Sequence, residues 1–184
     1  GIGYAPADRR ALKTHLAGND ISTEQMVEAG LLVAGEDIAV PYDRFRDRIM
    51  FPILDGRGRV IAFGGRAMSP DVPAKYLNSP ETTLFHKSTV LYNLDKAREP
   101  AHRNSAIIAV EGYIDVIAMT RAGLPHAVAP LGTALTEEQL HLMWRIAPEP
   151  VLCFDGDAAG LKAAYRALDL ALPMLRPGHS LRFA

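Results

Sequence analysis

From residue 106 onward the sequence alternates short apolar runs with longer segments of helical composition, and this alternation restricts the fold more than any other feature. The apolar runs are AIIAV, AVAP and PVLCF, and the helical segments lie at 113–122, 136–146 and 158–172. Thr136 and Gln139 fit a capping box at the start of the second helix, and we expect Trp144 to lie in the core. Strands and helices that alternate with short connections are typical of a parallel sheet with right-handed crossovers. We therefore predict a doubly wound α/β domain over residues 104–184, with LRFA beginning a further strand.

Carboxylates directly follow two of these predicted strands. Glu111 comes after AIIAV, with Asp115 four residues later, and Asp155-Gly156-Asp157 ends the run VLCF. Open α/β sheets bind their ligands at the carboxyl ends of the strands, and Mg²⁺ takes one or two carboxylates together with substrate phosphates. The pattern predicts a metal site, with Gly156 allowing the chain to turn between the two acids. The alternatives are an ordinary acidic turn for the Asp pair and helix-dipole partners for Glu111 and Asp115.

Residues 1–103 predict a smaller, mixed α+β subdomain. It is expected to begin with a helix at 6–17 and a second helix opened by a Ser22–Gln25 capping box. A hairpin or two short edge strands follow within 31–40, and a hairpin pairs 48–55 with 59–66 around Gly56-Arg57-Gly58. A loop or irregular strands over 68–93 then lead to a short helix at 94–98 that stops before Pro100. The capping box and the glycine turn are the strongest of these local signals.

The formal net charge of −1 conceals an uneven distribution of charge. Residues 44–103 hold eleven Lys and Arg against six Asp and Glu, whereas residues 104–184 hold six against eight. A basic half joined to an acidic half suits a polyanion that is held beside metal cations. The alternative is an ordinary solvated surface.

Arginines alternate in the segment YDRFRDR, where an extended chain would present Arg44, Arg46 and Arg48 on one face. Guanidinium groups clamp phosphate oxygens in pairs, so this face could hold a nucleic-acid backbone or an NTP; the alternative is an edge strand protected by charge. Further candidates are Arg66, Lys75, Asn78 and Lys87, with the aromatic residues Tyr76 and Phe85 between them. Basic residues interleaved with aromatic ones are typical of single-strand surfaces.

Composition and motifs exclude several other classes of protein. A hydrophobic content of 48% with 22% charged residues excludes disorder, and the apolar runs are shorter than the roughly 18 residues of a membrane helix. GIGYAP lacks the pattern of a secretory signal, and Cys153 alone supports neither a disulfide nor a structural zinc site. The Walker, GxSxG and paired-cysteine motifs are missing. The ends of the sequence suggest a fragment of a longer protein.

Together the motifs YDRFRDRIMFPI, FGGR, KYLNSPET, LFHKS, LYNL, VEGYIDVIA and FDGDAAG closely resemble the RNA polymerase core of bacterial DnaG-type primases. The last two belong to the wider topoisomerase–primase (Toprim) fold. The resemblance covers nearly the whole chain, and KYLNSPET with FHK is far more specific than the acidic motifs. It implies a parallel Toprim sheet flanked by helices, over residues 104–184, after a basic subdomain over 1–103.

The resemblance also implies roles for individual residues. Asp155 and Asp157 match Mg²⁺ ligands, Glu111 matches a metal-site residue or general acid/base, and Asp115 matches a further acidic position of the catalytic site. The positions that match the basic ridge for template and nucleotides are Arg44, Arg46, Arg66, Lys75, Asn78 and Lys87. In the family further acids follow the strand that LRFA begins, and a zinc-binding module and a helicase-binding domain flank the core, so we expect the Toprim domain here to be truncated.

The sequence therefore predicts a DNA primase that makes short RNA primers on single-stranded DNA from NTPs, with Mg²⁺ or Mn²⁺ as cofactor and no zinc in this part. The resemblance implies a replicative helicase as partner, a bacterial cytoplasmic location near the nucleoid and a monomeric fragment without membrane contact, weakly active or inactive when isolated. Two alternatives stay open: a metal-dependent phosphodiesterase of the nuclease or topoisomerase type, and a non-catalytic nucleic-acid-binding Toprim module.

Overall fold

The computed structural model describes residues 1–132 and 134–184. They form two compact units, the first made of Gly1–Ile53 and Val60–His86 and the second of Leu54–Arg59 and Lys87–Ala184. The domain boundary near residue 103 stays a prediction. Within the described ranges, none of the helices combines the length and the apolar character needed to cross a bilayer.

The first unit is built around a four-stranded sheet with the order β1–β4–β5–β6. Its elements are β1 (Gly3–Ala5), α1 (Ala11–Ala17), α2 (Thr23–Glu28), β2 (Leu32–Val33), β3 (Tyr42–Asp43), β4 (Arg48–Leu54), β5 (Val60–Ala67) and β6 (Tyr76–Asn78). Met26, Phe51, Ile53 and Phe85 are at most 1% exposed and form part of its core. The predicted hairpin is confirmed, because β4 and β5 are neighbours joined by the glycine turn.

The helix predicted over 6–17 is shorter than expected, since it follows β1, which pairs with β4, only after five further residues. Helix α1 begins at Ala11, where the Asp43 carboxylate accepts hydrogen bonds from the backbone N–H groups of Leu12 (2.7 Å) and Lys13 (3.0 Å). A cap supplied from 30 or more residues away has no local sequence signal. The Ser22–Gln25 capping box that opens α2 is confirmed.

Two further local predictions differ from the structure in extent. The expected pair of short strands is present as antiparallel β2 and β3, but β3 lies beyond the predicted segment 31–40. The helix expected at 94–98 continues through Pro100 as α3 (Leu94–Asn104). A proline inside a helix removes one backbone hydrogen bond, but Ala97, Pro100 and Ala101 are all buried, so the packing of this face offsets the loss.

The second unit carries the predicted parallel sheet. Its elements after α3 are β7 (Ile108–Ala109), α4 (Tyr113–Arg121), β8 (Ala127–Val128), α5 (Glu137–Trp144), β9 (Val151–Leu152), α6 (Ala158–Ala171) and β10 (Arg182–Phe183). All pairings in the order β10–β9–β7–β8 are parallel. The connection through α4 leads from β7 to one side, and the connection through α5 crosses to β9 on the other side. The switch in direction therefore falls between β7 and β9.

The core of the second unit packs helices against this sheet. It includes Ile107, Leu140, Met143 and Leu152, all fully buried, together with Trp144 at 6% exposure, so the expectation that Trp144 belongs to the core is confirmed. The Thr136–Gln139 capping box at the start of α5 is also confirmed.

Candidate metal centre and nucleic-acid interface

Glu111 and Asp155 meet at the switch point of the parallel sheet. Glu111 follows β7 and Asp155 follows β9, and these strands are direct neighbours. One carboxylate oxygen of Glu111, Oε1, accepts a hydrogen bond of 2.9 Å from the backbone N–H of Asp155. The switch point is the position where open α/β sheets bind ligands. The structure thus brings these two predicted site residues together.

Asp115 lines the same cleft as Glu111 and Asp155. This cleft has a volume of about 220 Å³, and the three acids share its wall with apolar residues that include Met119 and Phe154. Asp115 also caps its own helix, since its Oδ2 accepts a hydrogen bond of 2.9 Å from the N–H of Gly112. Asp115 therefore lies in the first turn of its helix, as the helix-dipole alternative expected, and it also lines the cleft.

Asp157 opens α6 and lines a second cleft together with Asp155. Its Oδ1 accepts hydrogen bonds from the N–H groups of Ala159 (2.9 Å) and Gly160 (2.8 Å), which makes it the N-cap of the helix. Asp155 therefore borders both clefts, whereas Asp157 borders one of them.

The glycine that shapes this loop is Gly160 rather than Gly156. A Cβ at Gly160 would lie 2.0 Å from the backbone carbonyl oxygen of Asp155, whereas a Cβ at Gly156 would meet no atom within 4 Å. Gly156 does not have the positive φ that favours glycine. The expectation that Gly156 enables the turn was wrong, because the tight constraint is the approach of α6 to the Asp155 backbone.

The donor set of this edge fits a hard divalent cation that is shared with a substrate. Among residues 1–132 and 134–184, no group of three or more His, Cys, Asp and Glu side chains forms a complete metal cage. Mg²⁺ needs no such cage, because it keeps several waters and completes its shell with substrate phosphates around one or two carboxylates. Glu111, Asp155 and Asp157 supply oxygen donors of this kind.

Tyr113 is a packing residue beside the acids. It is 6% exposed, and its ring meets that of Tyr92 edge to face with centroids 4.7 Å apart. Burial raises the pKa of Tyr113 well above its usual range, and the neighbouring Tyr92 acts in the same direction. The phenolate form is therefore strongly disfavoured at this position.

Lys87, one of the predicted nucleotide-binding residues, belongs to the second unit. Its backbone carbonyl accepts a hydrogen bond of 2.9 Å from Nε2 of Gln139, which also donates to the carbonyl of Val90 (2.8 Å). Thr136 adds a hydrogen bond from its hydroxyl to the carbonyl of Ser88 (2.6 Å). Sequence reasoning recognised Thr136 and Gln139 only as a capping box and missed their second role, which fixes the backbone that carries Lys87.

The alternating arginines do not share one face. Asp47 has a φ of 48°, which ends any extended run before β4. Arg48 is only 8% exposed, and its guanidinium donates hydrogen bonds to the backbone carbonyls of Gly65, Ala74 and Lys75. Arg48 therefore has a structural role, because a buried charge is retained where its donors are satisfied.

Arg44 is partly structural as well. Its Nε and Nη2 both donate to the backbone carbonyl of Asn78, at 3.1 and 2.9 Å. Burial lowers the pKa of Arg44 from its usual value. The contact joins two predicted interface positions, Arg44 and Asn78, and places Arg44 beside β6.

The side chains of the remaining basic candidates of the first unit make fewer hydrogen bonds to the protein. Arg46 lies over the Tyr42 ring at 5.0 Å from its centroid, and Lys75 lies over the Tyr76 ring at 5.9 Å. Arg66 is half-buried at the end of β5, and its buried Nε finds no hydrogen-bond acceptor among the described residues. The structure leaves positive charge on this unit beside an aromatic ring, Tyr76, that is 44% exposed.

A parallel sheet with acids after two adjacent strands at its switch point defines the second unit as a Toprim domain, and residues 105–184 match that family. Residues 1–98 match the N-terminal domain of the DNA primase catalytic core. The chain therefore belongs to the family of DnaG-type DNA primases. A Toprim domain implies the use of a divalent metal in general.

Curated and solved relatives agree with this assignment. The DNA primase of Pseudomonas aeruginosa PAO1 is 51% identical over 100% of this chain, which spans 27% of that protein's length. The DNA primase of Escherichia coli K12 is 46% identical over 99% of this chain, which spans 31% of that protein's length. A crystal structure of a DNA primase domain from Pseudomonas aeruginosa superimposes with a TM-score of 0.93 at 51% identity, covering 99% of this chain and 56% of that one. A DnaG primase catalytic domain bound to ssDNA superimposes with a TM-score of 0.87 at 44% identity, with the same coverage.

Proposed function

We propose that this chain forms part of the catalytic core of a DNA primase, which synthesises RNA primers on single-stranded DNA. The observation that carries the proposal is that Glu111 and Asp155 lie together at the switch point of the sheet. The Asp155 N–H donates a hydrogen bond of 2.9 Å to Oε1 of Glu111. The proposal is supported by the family match over both parts of the chain and by the relative that was solved with ssDNA bound.

In the reaction, the 3′-hydroxyl of the growing primer attacks the α-phosphate of the next NTP. A new bond forms between that oxygen and the α-phosphorus, the bond from the α-phosphorus to the bridging oxygen breaks, and pyrophosphate leaves. The hydroxyl proton passes to Glu111 as general base or to solvent. Glu111, Asp155 and Asp157 would hold Mg²⁺ or Mn²⁺, and Asp115 would complete the acidic wall of the cleft. When bound there, the cation would neutralise negative charge on the phosphate that is transferred.

We assign the handling of template and nucleotides to Arg44, Arg46, Arg66, Lys75, Asn78 and Lys87. Arg44 and Asn78 form one connected pair, while Lys87 is positioned through its backbone by Gln139. A helicase partner, a monomeric state and a cytoplasmic location near the nucleoid belong to the same proposal, as does the absence of a zinc site from this part of the protein.

The topoisomerase alternative requires a tyrosine nucleophile, and Tyr113, which lies next to the acids in sequence, does not suit that role. It is buried, and its raised pKa disfavours the nucleophilic phenolate. The primase-type motifs of the first unit further favour polymerisation over cleavage.

The test is primer synthesis from labelled NTPs on single-stranded DNA, with Mg²⁺ or Mn²⁺, by the full-length protein. Asp155→Asn should lower synthesis on the order of 100-fold, since losing a metal-site group costs at least as much as losing its supporting partners. The substitution keeps the backbone N–H that bonds to Glu111. Asp169→Asn, an exposed position on α6, is the matched control and should leave synthesis unchanged.

Undiminished primers from Asp155→Asn would contradict the metal-site assignment. DNA cleavage without NTP incorporation would favour the phosphodiesterase alternative, and DNA binding with neither activity would favour a non-catalytic module.

A further inference from the structure

The ring of Tyr42, in the first unit, makes cation–π contacts with two arginines. The guanidinium carbon Cζ of Arg9 lies 4.5 Å from the centroid of the Tyr42 ring, and Cζ of Arg46 lies 5.0 Å from it. Both distances are within the roughly 6 Å over which a cation is attracted to an aromatic face. Arg46 was a sequence candidate, whereas Arg9 lies in the segment that the sequence assigned simply to a helix.

The nearby carboxylates are engaged elsewhere. Asp43 accepts the N–H groups that open α1, Asp47 accepts the hydroxyl of Tyr4 at 2.8 Å, and Asp8 accepts the backbone N–H of Arg10 at 2.6 Å. In the first unit, all of whose residues the structure describes, neither Arg9 nor Arg46 forms an ion pair with a carboxylate. Two positive charges thus lie at one ring, and neither forms an ion pair within this fully described unit.

The backbone around the ring is fixed. The N–H of Asp43 donates a hydrogen bond of 2.8 Å to the carbonyl of Arg9, which ties the start of α1 to β3 beside Tyr42. Two like charges near one another repel, and a bound anion removes this cost. A guanidinium fork matches the oxygens of a phosphate, so two forks beside one ring suit the binding of a phosphate.

We propose that Arg9, Tyr42 and Arg46 form a phosphate clamp for single-stranded DNA, with Arg9 as a DNA-binding residue additional to the basic positions named above. The inference rests on the proposed function and deepens it. The first unit also carries Lys75 beside the exposed ring of Tyr76, and basic groups interleaved with exposed aromatic rings are typical of surfaces that follow a single strand. This favours a DNA phosphate over the phosphates of a free nucleotide.

The test measures binding of a fluorescently labelled single-stranded oligonucleotide by the full-length protein, in EDTA and over a range of salt concentrations. Arg9→Ala should weaken binding severalfold and reduce the slope of log affinity against log salt by about 0.7, the value for one phosphate contact to a single strand. Arg10→Ala removes the same charge from the next position, whose side chain makes no cap hydrogen bond, and should leave affinity and slope nearly unchanged.

Tyr42→Phe and Tyr42→Leu separate the ring from its hydroxyl. Phe keeps the aromatic face, so binding should be preserved, whereas Leu removes the face that orients both guanidiniums and should weaken binding as Arg9→Ala does. Thermal melts of each variant identify a loss of binding that comes from unfolding, and Arg9→Lys, which keeps the charge without the fork, should recover only part of the affinity.

Equal effects of Arg9→Ala and Arg10→Ala would overturn the clamp, because bulk charge alone would then explain them. A raised KM for NTPs with unchanged DNA binding in Arg9→Ala would overturn the assignment to DNA. Lys75→Ala in the same assay distinguishes a failure of the clamp from a failure of DNA binding by the first unit. If it weakens binding while Arg9→Ala does not, only the clamp fails, and if neither variant changes binding, DNA binding by this unit fails with it.

Discussion

At Asp157, capping and metal binding can be separated by a single atom. Asn caps helices about as well as Asp, so Asp157→Asn should keep the two hydrogen bonds to the first turn of α6 while removing the charge. We expect an unfolding free energy within about 0.5 kcal/mol of the wild type, whereas Asp157→Ala should lose about 1 kcal/mol. Primer synthesis should fall strongly in both variants.

Urea unfolding and the primer assay together check this prediction. If Asp157→Asn retained full synthesis, Asp157 would be only a cap and would leave the set of proposed metal ligands.

Because Tyr113 is buried, we expect the free energy of unfolding to fall at alkaline pH. In the unfolded chain a tyrosine titrates near pH 10, whereas burial raises the pKa of Tyr113 in the folded protein. As pH rises above about 10, the unfolded state loses this proton first, so the free energy of unfolding falls. Tyr92, whose pKa is also raised by burial, contributes in the same direction.

Tyr113→Phe should therefore flatten the alkaline side of the stability profile, as measured by urea unfolding between pH 8 and about pH 11. Tyr165→Phe changes an exposed tyrosine and serves as the control. Equal alkaline slopes in Tyr113→Phe and the wild type would show that this phenol does not cause the effect.

At the scale of elements, the close approach of α6 to the loop before it determines where Asp155 lies. Gly160→Ala places a Cβ against the Asp155 carbonyl, a backbone atom that cannot turn aside. We expect a loss of about 1–3 kcal/mol of stability, the usual cost of overpacking, and a fall in primer synthesis because the Asp155 loop must shift. Gly156→Ala has free space and should change both quantities little.

Thermal melts and the primer assay on this matched pair give a direct comparison. Equal losses in the two variants would mean that the loop needs glycine flexibility rather than the close approach at Gly160.

The helices and strands differ in how far their sequences determined them. The capping boxes at Ser22 and Thr136 lie within four residues and were predicted correctly. The start of α1 was not, because its cap comes from Asp43 across the fold. In the same way, Pro100 was expected to stop α3, but burial of the helix face compensates for the missing hydrogen bond.

At the scale of the whole molecule, the basic positions except Lys87 belong to the first unit and the acids belong to the second, so the two sets should respond to different conditions. Chelation of divalent metal should abolish primer synthesis but leave single-stranded DNA binding largely intact, because Arg46, Arg66 and Lys75 need no metal. Raising the salt concentration should weaken that binding, by a slope of about −0.7 for each phosphate contact.

Anisotropy titrations with and without EDTA, next to primer assays, measure both responses, and restoring Mg²⁺ is the control. Binding that disappeared in EDTA would show that the metal site, rather than the basic unit, holds the DNA strand.

The sequence by itself determined the parallel α/β fold and the strand ends that carry Glu111 and Asp155. These follow from apolar periodicity and from the rule that parallel strands end at one edge, both of which are written over short stretches of chain. Only the tertiary structure decided that Gly160 rather than Gly156 shapes the acidic loop, that Gln139 holds the Lys87 backbone, that Arg48 is buried, and that Arg9 joins Arg46 on Tyr42. Each of these depends on close contacts that the fold itself creates, in most cases between residues far apart in the chain, and no local pattern encodes such contacts.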